Sequence, residues 1–307
     1  MESLRRKVLA DIEAVGGRHD EPEIYDGEPG DPGLTGGPGS ISWEINGDIA
    51  AVGLAGAGAV IMEVLHPSVM AGVAQQSSYR TDPLGRARNT LGYVLRTTFG
   101  STPAATQVVE RVKRIHSHVN GTRPDGVAYR ALDPELIGWV HTCIPWAIMT
   151  AFDRYRRPLS VAEKDRYLAE QAVVGRMGGA DEVPETVADL RDHVEAMRPR
   201  MAFTEQTREF VDFLAGDSDG EFRASALGQL KGRLGLSASM LLMPTWAQHL
   251  TGTYQPLPVR AGYLEPQARL TARLVSWAVP VLPCHEVAER RALATTAVHH
   301  PEVAAAV

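Results

Sequence analysis

The chain has 307 residues, of which 44% are hydrophobic and 22% are charged, and its formal net charge is −6. This composition is ordinary for a globular protein, and it excludes a disordered chain, a collagen and a disulfide scaffold. The negative charge gives no electrostatic footprint for nucleic acid. Two cysteines, Cys143 and Cys284, are too few for a thiolate metal cage, so the ten histidines are the candidate metal ligands.

The first forty residues predict a helix and then an irregular segment. Residues 3–15 carry apolar side chains at helical spacing, and no secretory signal is recognisable there, so a cytoplasmic location is expected. Nine of the thirteen residues from Gly27 to Gly39 are Gly or Pro, which precludes regular structure. We interpret residues 1–40 as a mobile lead-in, with a lid over a pocket as the alternative, and residues 41–307 as one helical domain.

Residues 42–48 then predict a short extended piece and a turn. The uncharged stretch from Ile49 to Met62 has 14 residues, fewer than the roughly 20 that cross a bilayer. Its Gly and Ala content favours a helix packed inside the protein, so no membrane span is expected.

Helix start signals recur along the rest of the chain. Three of them place a capping side chain before a proline at the first helical position: Asp82-Pro83, Thr102-Pro103 and Asp133-Pro134. Further starts are predicted by two capping boxes and a threonine: Ser160–Glu163, Thr186–Asp189 and Thr204. Alternating β-branched runs are almost absent. The predicted fold is therefore all-α, in a single domain.

The helix after Asp82 carries a polar constellation. Arg86 and Thr90 are i,i+4 neighbours, and Asn89 lies on the same side. A guanidinium, an amide and a hydroxyl on one face suit a carboxylate or phosphate, although a solvated helix face explains the same pattern. Common nucleotide-binding and hydrolase motifs are missing from the sequence.

His116 lies on the next helix, at the edge of its predicted buried face, which comprises Val108, Val112, Ile115 and Val119. His118 falls roughly 200° round that helix, so it shares no metal with His116 unless the helix ends between them. A neutral imidazole in an apolar setting is what an iron ligand requires. A core hydrogen bond is the alternative.

Two further histidines are candidates. His141 follows Trp139 on the helix begun at Asp133 and is predicted to be buried among apolar neighbours. His66 precedes Pro67, which predicts a helix cap or boundary residue. The remaining histidines are expected in solvent: His19, His193, His249, His285, His299 and His300.

The order of these motifs resembles the family of oxygenase MpaB and rubber oxygenase (latex clearing protein). The resemblance runs from about residue 42 to about 200. It is carried by Trp43-x-x-Asn46-Gly47-Asp48, Leu65-His66-Pro67-x-Val69, Asp82-Pro83-x-x-Arg86-x-x-x-Thr90, Arg114-Ile115-His116-x-x-Val119-x-Gly121, Asp133-Pro134-x-Leu136-x-x-Trp139-Val140-His141 and Leu159-Ser160-x-x-Glu163-x-Asp165-Arg166-Tyr167.

The resemblance implies a globin-like helical core that holds haem b, and an oxygenase that cleaves carbon–carbon double bonds of isoprenoid chains with dioxygen. It makes His116 the first candidate for the proximal ligand of the iron, and His141 and His66 are the next candidates. Arg86 and Thr90 match the family's Arg-x-x-x-Thr beside the haem, and would bind a propionate.

Two positions differ from rubber-cleaving members. Asn89 stands where they carry a lysine before the threonine, and Gln75 and Gln76 lie where they use a glutamate as a proposed base. Glu63 lies earlier in the chain and does not match that glutamate. These differences favour a smaller apolar or isoprenoid-type metabolite, in secondary metabolism, with Asn89 and His141 as catalytic candidates. The alternatives are a haem enzyme that hydroxylates or peroxidises, and a non-catalytic binder of haem or an apolar ligand.

Overall fold

A computed structural model describes residues 22–216 and 236–294, together with positions 2, 5, 6 and 9. In chain order its helices are α1 (Pro22–Tyr25), α2 (Ile41–Gly47), α3 (Ile49–Val64), α4 (Pro67–Gln76), α5 (Pro83–Phe99), α6 (Thr102–His116), α7 (Pro134–Tyr155), α8 (Val161–Gly178), α9 (Val187–Met197), α10 (Glu205–Ala215), α11 (Thr245–Leu250), α12 (Leu257–Val259), α13 (Glu265–Ala278) and α14 (Pro283–Leu293). A π-helical turn, Arg260–Leu264, joins α12 to α13, and residues 236–240 are also helical. Of the predicted helix over residues 3–15, positions 5, 6 and 9 are helical, and the others lie outside the described residues.

One small β-hairpin interrupts the helices in the described chain. Its strands, β1 (Asn120–Thr122) and β2 (Ala128–Arg130), pair antiparallel, with Gly121 opposite Tyr129. The Tyr129 hydroxyl donates to Gln75 Oε1 at 2.8 Å, and Gln75 Nε2 donates to the carbonyl of Thr122 at 2.9 Å, so the hairpin is fixed on α4. The hairpin was not predicted, but the all-α, single-domain prediction is confirmed.

The proline-marked helix starts are confirmed, with one change of cap. Asp82 accepts a hydrogen bond from the amide of Gly85 and Asp133 accepts one from Glu135, so each aspartate satisfies an amide of the first turn. Thr102, in contrast, is itself the first residue of α6, and Ser101 is the N-cap without a side-chain bond.

The other predicted starts are confirmed as well. Both capping boxes form, and Thr204 accepts from the amide of Thr207 at 3.2 Å. The prediction of an extended piece over residues 42–48 is wrong for residues 42–47, because α2 occupies them, and Asp48 alone is extended. Ser40 caps this helix by accepting from the amide of Trp43 at 3.2 Å, a start signal that the neighbouring glycines obscure.

Helices α3 and α7 form the centre of the domain. The indole of Trp139 on α7 donates to the carbonyl of Met62 on α3 at 3.2 Å. On another face of α3, a Cβ at Gly58 would lie 2.6 Å from the carbonyl oxygen of Ser239, so the glycine permits the helical residues 236–240 to pack against the backbone.

A buried polar network joins three helices around Asn46 of α2, which is fully buried. The hydroxyl of Tyr167 on α8 donates to Asn46 Oδ1 at 2.8 Å, and Asn46 Nδ2 donates to the hydroxyl of Thr98 on α5 at 2.9 Å. Each polar group therefore has a partner, which a buried network requires. Two residues of the sequence motifs, Asn46 and Tyr167, thus hold the helices together.

The Gly/Pro-rich segment packs against α5, α6 and α14 through hydrogen bonds. Arg291 of α14, only 3% exposed, donates to the backbone carbonyls of Tyr25, Asp31 and Phe99. The Asp31 carboxylate accepts from both the amide and the hydroxyl of Thr102, at 2.6 Å each, and so caps α6 from a distant part of the chain. These bonds fix the segment in place, and a 3-10 turn forms at Gly37–Gly39, so the prediction that regular structure is precluded is wrong there.

Within the described helices, none is long and apolar enough to cross a membrane alone. The pair Ile41–Gly47 and Ile49–Val64 passes that test together, but with a bend of 81° between the two helices.

Candidate active site

His116 is the last residue of α6 and lies on the inward face of that helix. The buried residues of α6 are Ala105 and Val109, eleven and seven positions before His116, whereas Ile115 is 53% exposed. The predicted buried face is therefore wrong at Ile115, because the helix is rotated toward the small side chain of Ala105. This rotation turns His116 further inward than the sequence indicates.

The His116 imidazole lies within electrostatic range of the Arg86 guanidinium and of His141. Burial and the Arg86 guanidinium lower the pKa of His116. Burial and the neighbouring His116 lower the pKa of His141 to about 4. Both imidazoles are consequently uncharged at neutral pH, and neither forms a hydrogen bond with any side chain or carbonyl of the described residues. One neutral imidazole with a free nitrogen lone pair therefore lies on each of α6 and α7.

Glycines on α8 make room for the His141 ring. A Cβ at Gly178 would lie 3.1 Å from His141 Nε2, and one at Gly175 would lie 3.1 Å from His141 Cβ. On its other side the ring meets Tyr93 of α5 edge-on, with 6.0 Å between ring centroids. The two glycines allow α8 to approach the imidazole closely.

Arg86 and Thr90 interact on α5 as their spacing predicts. Arg86 Nη1 donates to the Thr90 hydroxyl at 2.5 Å, and that hydroxyl donates to the Arg86 carbonyl at 3.2 Å. The Arg86 side chain is exposed to solvent. Its positive charge lowers the pKa of His116 and opposes the rise in the pKa of Glu63. Asn89, on the same helix, is exposed and makes no hydrogen bond within the described part of the chain.

Glu63 is the residue that the sequence interpretation missed. It lies near the end of α3 and is 9% exposed. Burial raises the pKa of its carboxyl to about 7, and the Arg86 guanidinium opposes this. No hydrogen bond to the Glu63 carboxyl is found among the described residues, although the Glu63 backbone carbonyl accepts from the amide of His66 at 3.1 Å. The sequence held one signal for it, because Glu63 is the one charged residue in α3. In the structure, a buried acid with a displaced pKa indicates a functional site.

The two cysteines are buried and protonated. Burial and the Glu63 carboxyl raise the pKa of Cys143, and burial raises that of Cys284 to about 12. Neither is suited to be a thiolate ligand. The described residues contain no group of three His, Cys, Asp or Glu side chains that could hold a bare metal ion.

The two other candidate histidines have structural partners. His66 caps α4, because its Nδ1 accepts from the amide of Ser68 at 3.2 Å, and the predicted boundary role is confirmed. Helix α6 ends before His118, but His118 Nδ1 lies 2.9 Å from the Arg114 carbonyl.

Histidines predicted in solvent divide into three groups. His285 is half-buried and stacks on Phe99 with 4.9 Å between ring centroids, and His193 is half-buried beside Trp139. The prediction is wrong for both histidines, because aromatic rings cover them. His249 is exposed, as predicted. The other three, His19, His299 and His300, lie outside the described residues.

The donor set fits a haem, which needs one axial imidazole from the protein, because its porphyrin supplies the other nitrogens. The space is smaller than a usual ligand pocket. The cleft between α7 and α8, lined by His141, Thr142, Pro145, Leu168 and Gln171 among others, has essentially no volume that a water-sized molecule could enter. Pockets for small molecules are usually about 300–1,000 Å³, so a haem requires these helices to move apart.

Comparisons with known proteins indicate the family to which the chain belongs. The model of the family described as "ER-bound oxygenase mpaB/B'/Rubber oxygenase, catalytic domain" matches residues 43–278. Two uncharacterized proteins, from Mycobacterium bovis and Mycobacterium tuberculosis, are each 27% identical over 221 residues, which is 70% of this chain and 77% of theirs. No solved structure matches the chain significantly. The family match covers most of the chain, including α3 to α8, and the chain belongs to the mpaB and rubber oxygenase catalytic-domain family.

Proposed function

We propose that this protein is a haem b-dependent oxygenase that acts on a small apolar or isoprenoid-type metabolite, with oxidative cleavage of a carbon–carbon double bond as the reaction. The observation that carries the proposal is the pair of uncharged imidazoles, His116 and His141, without hydrogen-bond partners in the described chain. Membership of an oxygenase family supports the reaction class. A cytoplasmic location and a role in secondary metabolism are part of the proposal.

His116 is the proposed iron ligand. Its neutral state at physiological pH leaves a nitrogen lone pair for coordination. Its place at the C-terminal end of α6 adds the partial negative charge of that helix end, which stabilises positive charge nearby. When bound, the haem supplies the activation of dioxygen, and the protein supplies binding and orientation.

Arg86 and Thr90 are the proposed anchors for a haem propionate. Because the Arg86 guanidinium is already directed along α5 by the Thr90 hydroxyl, it needs little reorganisation to bind a carboxylate. Arginine holds carboxylates through two parallel N–H donors, and the Thr90 hydroxyl adds a third donor when it releases the Arg86 carbonyl.

Glu63, His141 and Asn89 are the proposed groups on the substrate side. With a pKa of about 7, the Glu63 carboxyl holds a proton in part of the molecules and releases it in the others, so it serves as an acid or a base near neutral pH. His141 stays unprotonated and accepts a hydrogen bond, and the Asn89 amide donates one from α5. A titrating acid inside the group favours catalysis over mere binding.

Absorption spectroscopy tests the cofactor. Protein purified with haem available is expected to show a Soret band that shifts on reduction and again with carbon monoxide. His116→Ala is expected to remove or shift the band, and His118→Ala, two residues away and hydrogen-bonded to the backbone, is the matched control. No Soret band after haem addition would refute the haem. A spectrum unchanged by His116→Ala but lost in His141→Ala would move the ligand to His141.

Product analysis under labelled dioxygen tests the reaction. Cleavage of a double bond gives two carbonyl fragments that carry label. A hydroxylated or peroxidised product of full length would instead indicate the different oxidative reaction, and stoichiometric binding without turnover would indicate a binding protein.

A further inference from the structure

We propose that one exposed side of α13 docks on an anionic membrane surface. This surface, which we call the α13 face, consists of four large apolar residues and two arginines: Tyr263, Leu270, Leu274, Trp277, Arg269 and Arg273. The proposal concerns how the protein is located, and it is independent of the haem.

The α13 face reverses the usual distribution of side chains. Where α13 packs on the domain, its buried residues are small, namely Ala268, Ala272 and Ala278. The large apolar residues point outward, and Leu270 is 58% exposed. Ten of the sixteen exposed large apolar residues of the described chain lie between residues 250 and 293. A concentration of exposed apolar surface marks an interaction site.

The spacing of the apolar residues places them in one row. Leu270, Leu274 and Trp277 are four and three positions apart, which keeps them on one side of α13. These three residues span about 10 Å at 1.5 Å per residue, and exposed Tyr263 lies in the π-helical turn that leads into α13. The two leucines lie in the middle and the two amphipathic aromatic rings lie at the ends. Tyr and Trp favour the boundary between lipid and water.

The charge of this surface is opposite to that of the whole chain, which is −6. Arg269 and Arg273 are exposed beside the apolar row. The single acid of α13, Glu265, lies 3.7 Å from Arg154 of α7 and is thereby neutralised. At the far end, Arg5 Nε donates to the carbonyl of Ala278 at 3.3 Å, which adds another positive charge. Apolar and aromatic residues flanked by arginines are typical of helices that lie on anionic lipid.

The same charges disfavour a second copy of the chain as the partner. A two-fold symmetric contact brings one surface against itself. Arg269 and Arg273 would then face the same arginines, with no free acid on the α13 face to pair with them, and like charges across an interface oppose association. A lipid surface with anionic headgroups satisfies both the arginines and the apolar row.

Vesicle co-sedimentation of the full chain tests the proposal. The protein is expected to sediment with vesicles of 70% phosphatidylcholine and 30% phosphatidylserine but not with phosphatidylcholine alone, and to dissociate as salt screens the charges. Leu270→Glu is expected to abolish binding. The double variant Arg269→Gln/Arg273→Gln is expected to bind roughly 30-fold more weakly, since each arginine contributes about fivefold near an anionic surface.

Matched controls lie on other surfaces. Val161→Glu introduces the same charge at an exposed apolar residue at the start of α8, and Arg191→Gln removes an exposed arginine of α9. Both are expected to bind like the wild type, and circular dichroism checks that each variant is folded. Equal sedimentation with both vesicle types, or binding unaffected by Leu270→Glu, would overturn the proposal. So would a dimer that Leu270→Glu converts to monomer without any vesicle binding of the wild type.

Discussion

Glu63→Gln isolates the energetic cost of a buried acid in the candidate site. The pKa of Glu63 is raised from 4.5 to about 7 in the folded protein. At roughly 1.4 kcal/mol per pKa unit, this displacement corresponds to about 3 kcal/mol. Glutamine has nearly the same shape and cannot ionise, so it keeps the packing and removes the titration.

The direction of the effect follows from the raised pKa. Below pH 4.5 the carboxyl is protonated in the folded and the unfolded chain, and its ionisation has no influence on stability. As pH rises to about 7, the unfolded chain ionises while folded Glu63 stays protonated, so the wild type loses stability. Above pH 7 the loss is complete. We therefore expect the difference in free energy of unfolding between Glu63→Gln and the wild type to shift by about 3 kcal/mol in favour of the variant as the pH rises from 4.5 to 8.

Urea unfolding followed by circular dichroism at several pH values measures this difference. All other titrating groups are common to both proteins and cancel. Met62→Leu, a change at the adjacent buried residue that does not titrate, is the control and is expected to shift stability equally at every pH. Parallel profiles for the wild type and Glu63→Gln would refute the inference that the fold holds this carboxyl protonated.

Three further changes test the packing. Gly138→Ala is expected to reduce the free energy of unfolding by about 1–3 kcal/mol in urea titrations, because the new Cβ would lie 2.7 Å from the carbonyl oxygen of Glu182. An unchanged free energy of unfolding would contradict this contact. Arg291→Leu leaves three carbonyls without their donor and is expected to lower the free energy of unfolding by about 3 kcal/mol or more. A melting temperature equal to that of the wild type would show instead that water replaces the guanidinium. Gly178→Ala is expected to displace the His141 ring, visible as a shifted imidazole resonance in NMR, with the fold otherwise unchanged.

Local signals in the sequence predicted most helix starts. Asp82, Ser160 and Thr186 act through contacts with amides two to four positions away, so their role is encoded in a short stretch of chain. The start of α6 was predicted from Thr102-Pro103, but its capping side chain was not, because Asp31 comes from 71 residues earlier. A cap supplied by a remote loop leaves no local pattern.

The candidate site was predicted only in part for a similar reason. Arg86 and Thr90 share one helix, and their mutual hydrogen bond follows from i,i+4 spacing. Whether His116 faces the interior depended on the rotation of α6, which packing against other helices decides. Glu63 becomes significant only once α3 is placed beside Arg86 of α5. These relations depend on which helices are neighbours, and periodicity within one helix does not contain that information.

The hydrogen bonds of Arg291 have a consequence for the order of folding. They connect α14 to a segment that precedes it by 260 positions. A contact between such distant parts of a chain closes late, because a long loop must be ordered first. During synthesis the segment around Asp31 and the start of α6 emerge early, but they acquire their buried partner only when α14 has been made. The bonds that hold the segment around Asp31 against the start of α6 are therefore completed only after α14 has been made.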